Sequence, residues 1–138
     1  FDRGIGDVFV ARVAGNFANE DILGSMEFAC KVAGAKLILV LGHEHCGAVK
    51  AAVDDVQLGN ITPMLSKIRP AVEAVEYEGE RSSENQEFVH LVSASNVRNT
   101  IAKIRSDSPI LKEMEETGAI KIVGALYDMD TGVVNLML

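Results

Sequence analysis

The chain has 138 residues, 48% of them hydrophobic and 24% charged, and carries a formal net charge of −7 at pH 7. That length and apolar content suit one domain with a core of its own, while the acidic balance and the lack of any Lys/Arg cluster exclude a nucleic-acid surface of the usual kind. No apolar run approaches the roughly 20 residues of a membrane span, and the two cysteines, Cys30 and Cys46, do not make a disulfide framework, so a reducing, cytoplasmic location is expected.

The start, Phe1-Asp2-Arg3-Gly4, reads as neither a leader peptide nor an initiator methionine. Asp7 to Val13 is rich in β-branched residues and bounded by Gly6 and Gly15, which predicts a strand. Asn19 is placed to cap a helix, with Glu20 and Asp21 in its positively polarised first turn. Ile22, Leu23, Met26, Ala29, Cys30 and Ala33 form its apolar stripe, and Gly34 closes it. Lys36 then begins a continuous apolar run, Leu37-Ile38-Leu39-Val40-Leu41, the pattern of a central strand buried on both faces.

That run ends in Gly42-His43-Glu44-His45-Cys46-Gly47-Ala48. An imidazole and a thiol thus arrive together at the end of a strand, where open α/β sheets hold their ligands. His43 and Cys46 suit a first-row metal ion, and Zn²⁺ is the default for mixed nitrogen and sulfur donors. His45, two residues from His43, is expected to point elsewhere, into solvent or a proton relay.

Ala48 to Val56 reads as a short helix stopped by Gly59-Asn60. Thr62-Pro63 opens another, and Pro70 predicts a break near Lys67 to Arg69. Glu76 to Glu84 is an exposed connection. Ser83 with Gln86 matches a capping box, and apolar residues from Phe88 to Ile104 support one long helix to about Arg105. His90 on that helix takes a surface or buried hydrogen-bonded role. Ser108-Pro109 caps a short helix ending at Gly118. Ala119 to Tyr127 and Val133 to Leu138 are strands, joined by the hairpin chemistry of Asp128-Met129-Asp130-Thr131-Gly132. The fold class expected is α/β, a mainly parallel central sheet with helices on both faces and an antiparallel edge strand at the C-terminal end.

Asp2-Arg3-Gly4-Ile5-Gly6-Asp7, Arg12-Val13-Ala14-Gly15-Asn16, Ser25-Met26-Glu27-Phe28-Ala29, Gly42-His43-x-x-Cys46-Gly47-Ala48 and Gly124-Ala125-Leu126-Tyr127-Asp128 occur in an order that resembles the β-class carbonic anhydrases over essentially the whole chain. The resemblance implies zinc-dependent, reversible hydration of CO₂ to bicarbonate by a metal-bound hydroxide. It matches His43 and Cys46 to two zinc ligands and the Gly47 N–H to the substrate pocket, and places Asn16 near the site. It also implies a homodimer or higher homo-oligomer.

The family's first zinc cysteine and its Asp-Arg dyad belong to a Cys-x-Asp-x-Arg motif that does not occur in these residues. No catalytic residue is therefore assigned here. The expectation is a single domain over residues 1–138 that is incomplete at its N-terminus, with impaired activity as it stands. The alternatives are a non-catalytic interaction module and a related zinc enzyme acting on another small linear molecule such as CS₂.

Overall fold

The computed structural model describes residues 1–137; Leu138, the last residue of the expected final strand, lies outside them. Three strands form one sheet in the order β1 (Leu37–His43), β2 (Lys121–Tyr127), β3 (Val134–Met137). β1 and β2 run parallel, in register from Leu37 opposite Lys121 to His43 opposite Tyr127. β3 returns antiparallel, with Val134 opposite Tyr127 and Met137 opposite Gly124. The mixed α/β architecture expected is the one found.

Alternation along the strands sorts the side chains. Ile38, Val40, Ile122 and Leu126 are buried on one face, whereas Leu39, Leu41 and Val123 are only half-buried on the other. The buried face receives the long helix α5 (Gln86–Asp107). Two glycines let it come close. A Cβ at Gly42 would lie 2.8 Å from Val97 Cγ2 and 2.9 Å from Leu126 Cδ2. One at Gly124 would lie 2.7 Å from Val97 Cγ1 and 3.0 Å from Ile101 Cδ1. Val97 therefore sits directly on the backbone of β1 and β2; β1, expected as a central strand buried on both faces, is the edge strand among the described residues and is half-buried on its second face.

Helix α1 (Glu20–Glu27) starts as expected: the Asn19 side chain accepts the Ile22 N–H at 2.9 Å, and Glu20 and Asp21 lie in the first turn. It does not run on to Ala33 as a regular helix. Phe28–Val32 form a π-helical segment, closed by Ala33 N–H on the Phe28 carbonyl, with Gly34 beyond it at φ +82°. The wider winding buries Ala29 and Cys30 and leaves Phe28 and Val32 exposed. Burial pushes the Cys30 thiol pKa upward, as expected for a core cysteine.

Four expectations need correction. Asp7 to Val13 is not a strand: no ladder pairs it among the described residues, and Val8, Phe9 and Val10 are exposed. β-branched composition reports a fit to a pleated surface and does not by itself make a ladder. The helix after Cys46, α2, spans Gly47–Val53 rather than reaching Val56. There the chain turns left-handed at Asp55, and the Val56 N–H closes back on the Ala51 carbonyl at 3.0 Å.

The next helix, α3 (Ile61–Leu65), begins before Thr62, whose hydroxyl instead accepts the Leu58 N–H at 2.8 Å. α5 is capped by Asn85, which accepts the Phe88 N–H at 3.2 Å; the Ser83 N–H is engaged by Asp54 Oδ1 at 2.9 Å. The break around Pro70 is real: the chain restarts after Ile68 as α4 (Arg69–Glu73), and Ile68 is fully buried at the break.

Ser108 has two partners. Its Oγ caps α6 (Pro109–Glu116) by accepting the Leu111 N–H at 3.2 Å, and it donates to Glu27 Oε1 at 2.6 Å, tying α6 to α1. Arg105 clamps Glu115 through two 2.7 Å bonds, which hold the Glu115 carboxyl below its usual range. No helix among the described residues is long and apolar enough to cross a membrane.

The contact of Val97 with the strand backbone carries a definite expectation. Gly124→Ala inserts a methyl where α5 already lies, and should cost about 1–3 kcal/mol in urea unfolding. Val97→Ala should recover part of that loss in the double variant.

Candidate metal centre

The site is built where β1 ends. The Glu44 N–H donates to the Tyr127 carbonyl at 3.1 Å, extending the parallel ladder one step past His43. His45 then adopts a left-handed conformation, φ +55°, that turns the chain off the sheet. Cys46, extended at φ −61° and ψ 115°, opens α2, and its carbonyl takes that helix's first bond from Lys50.

The His43 ring is exposed, and its Nδ1 lies 2.7 Å from the Glu44 carbonyl and 3.2 Å from Met129 Sδ. A proton on Nδ1 satisfies that carbonyl and leaves Nε2 with a free lone pair, the arrangement that orients a ligating histidine. Cys46 is 7% exposed and packs with Phe17, Val49 and Leu65. Gly47 is exposed as the first residue of α2, where an N–H has no intrahelical acceptor.

A turn over residues 13–16 braces β1. Asn16 has φ +46°, and its Nδ2 donates to the Leu41 carbonyl at 2.9 Å. The Gly15 carbonyl accepts from Asn96 Nδ2 at 2.6 Å, and the Ile68 side chain occupies the place a Gly15 Cβ would need. Asn16 thus shapes backbone two residues ahead of His43.

His43 and Cys46 provide one nitrogen and one sulfur donor, of the types zinc takes. Zinc sites with protein ligands use at least three. Among the described residues, the three-residue group close enough to hold an ion is Glu44, His45 and Asp130, which does not include them. The residues present therefore fit zinc as part of a ligand set.

The remaining candidates fall into place. His90 is on the surface of α5, its Nδ1 3.4 Å from Glu44 Oε1. Asp128 Oδ1 accepts the N–H groups of Asp130 and Thr131, both at 2.9 Å, so it is a turn-forming residue. Those bonds, Thr131's foremost, hold its carboxyl below the usual range. Met129 against His43, and Asp130 beside His45, are contacts that no local pattern announces. The β1–β2 register alone brings these distant segments together.

Asn16 yields a measurable contrast. Asn16→Gly and Asn16→Ala both lose the bond to Leu41, but only alanine adds left-handed strain, so Asn16→Ala should be less stable than Asn16→Gly by about 1 kcal/mol in urea unfolding.

A family profile described as carbonic anhydrase matches residues 1–134. Carbonic anhydrase 2 of Mycobacterium tuberculosis (strain CDC 1551 / Oshkosh) is 35% identical over 137 residues, covering 96% of this chain and 63% of that protein. A carbonic anhydrase of Mycolicibacterium smegmatis is 34% identical over 141 residues, covering 99% of this chain and 66% of that protein. The chain thus spans less than two thirds of the length of either relative.

Among solved structures, the Coccomyxa β-carbonic anhydrase in complex with acetazolamide superposes with a TM-score of 0.82 at 26% identity, covering 96% of this chain and 62% of that one. A tetrameric β-carbonic anhydrase from Sordaria macrospora superposes with a TM-score of 0.81 at 21% identity, covering 97% and 70%, a likeness of fold alone.

Proposed function

The chain belongs to the β-class carbonic anhydrase family, and from that membership we propose that the protein carrying it hydrates CO₂ reversibly to bicarbonate with the help of zinc. The observation that carries the reading is the end of β1, where His43 and Cys46 leave the sheet together and the His43 ring is oriented by the Glu44 carbonyl. His43 Nε2 and Cys46 Sγ would be two of the zinc ligands. Zinc, when bound, supplies the Lewis acidity that makes water a nucleophile near neutral pH.

The chain's own residues do the positioning. The Glu44 carbonyl fixes the imidazole tautomer. The packing of Cys46 against Phe17 and Val49 keeps bulk water from the sulfur. The Gly47 N–H is offered as a donor to an oxygen of the substrate or product. In the family the remaining donors and the orienting dyad belong to a Cys-x-Asp-x-Arg segment, a motif that does not occur in residues 1–138.

Assembly rests on the same premise. Val8, Phe9, Val10, Phe28 and Val32 are exposed, with the Phe9 and Phe28 rings 6.5 Å apart, and a second copy of the chain is proposed to cover them. Light scattering should give at least a dimer mass at micromolar concentration; a monomer mass overturns this point.

Stopped-flow CO₂ hydration with added zinc tests the function. The 138-residue chain should run close to the uncatalysed rate. With a Cys-x-Asp-x-Arg segment joined ahead of Phe1, a zinc-dependent rate should appear and be lost in His43→Ala or Cys46→Ser. Robust turnover by the chain alone would sink the partial-site reading. No turnover in the joined protein favours a non-catalytic module.

A further inference from the structure

The strand ends hold a second set of metal-binding side chains beside His43 and Cys46. Glu44 and His45 lie on the loop after β1, and Asp130 on the turn between β2 and β3. One donor atom from each of the three lies within 4.8 Å of the other two. Around a tetrahedral ion with bonds of about 2.1 Å, donors stand about 3.4 Å apart, so modest side-chain rotations bring all three into range.

The backbone prepares this meeting. The Glu44 N–H bond to the Tyr127 carbonyl draws the first loop against the hairpin. Asp128 Oδ1, accepting from the Asp130 and Thr131 N–H groups, folds the turn that carries Asp130. A fourth residue neighbours Glu44: His90 on α5 places Nδ1 3.4 Å from Glu44 Oε1, beyond ordinary hydrogen-bond distance. The Glu44 side chain is 29% exposed, so it is held rather than free in solvent.

We propose that Glu44, His45 and Asp130 form a second divalent-cation site, distinct from His43 and Cys46, which takes a first-row ion such as Zn²⁺ through one imidazole and two carboxylates. The donor set is borderline to hard, so it suits zinc, cobalt or manganese and disfavours soft ions such as Cu(I). An ion held there would cross-link the loop after β1 to the β2–β3 turn. It would also tether Met129, and with it the wall against which the His43 ring rests.

Titration calorimetry with ZnCl₂ tests the site on the whole chain. Cys46→Ala removes the thiolate and leaves the three donors untouched; this variant should still bind one zinc per chain. Adding Asp130→Asn or His45→Ala should weaken that binding at least about tenfold. No zinc bound by Cys46→Ala, or unchanged affinity after either addition, overturns the proposal.

If Cys46→Ala fails to fold by circular dichroism, Asp130→Asn alone, at an exposed turn position, decides. It should lower the zinc bound per chain by one equivalent, and an unaltered stoichiometry overturns the site. Cobalt added to the unaltered chain reads Cys46 separately, through thiolate-to-cobalt absorption that a nitrogen and oxygen site lacks. Failure at one site is thereby distinguished from failure at the other.

Discussion

The architecture depends on one close approach. Val97 of α5 rests on the backbone of β1 at Gly42 and of β2 at Gly124, where a side chain on either strand would hold the helix away. That contact clamps the two parallel strands from one face at the level where β1 is about to end. The direction in which β1 delivers His43, and the height at which the loop after it meets the β2–β3 turn, are both set there. Packing that rejects even one added methyl is the normal condition of a protein interior. Here it lies directly beneath the residues with chemistry to offer.

The end of β1 therefore serves two neighbouring groups of donors through one short segment. His43 and Cys46 flank Glu44 and His45, and the left-handed turn at His45 separates the two groups. His43 is steadied by the carbonyl of Glu44, while the carboxylate of the same residue lies 3.4 Å from His90 Nδ1. A backbone atom of Glu44 thus serves one group and its side chain the other. A substitution at Glu44 would remove the carboxylate from one group and leave in place the carbonyl that steadies His43.

Much of this was legible in the chain. The apolar run from Leu37 to Leu41 marked a strand, though an edge strand half-buried on one face rather than a central one; Asn19 and Ser108 were capping residues where they were expected, and Pro70 marked a real break. These signals are local: each states its physical reason within a few residues. The misreadings share the opposite character. Asp7 to Val13 has strand composition but joins no ladder among the described residues, a fact of the assembled sheet. Ser83 is not the cap because α5 begins later, where Asn85 accepts the Phe88 N–H, and the Ser83 N–H that a capping box would pair with Gln86 goes to Asp54, far off in the chain. The pairing of His43 with Met129, and of His45 with Asp130, depends on a parallel register that no pattern in either segment encodes. His43, Cys46 and Gly47 stood out because strand, ligand types and helix start fall consecutively; Asp130 did not, because its neighbours explain it as a turn.

The π-helical segment Phe28–Val32 has a bearing on how this chain can change in length. Such a segment holds one residue more than the regular winding needs. Deleting a single residue there would let the helix close normally and leave the segments on either side facing as they do, because five π-wound residues turn through about the same angle as four α-wound ones. Glu27 would keep its reach to Ser108. These five positions therefore accept the loss of one residue, whereas the same loss inside the regular turns of α5 would rotate one side of that helix against the other by about 100°.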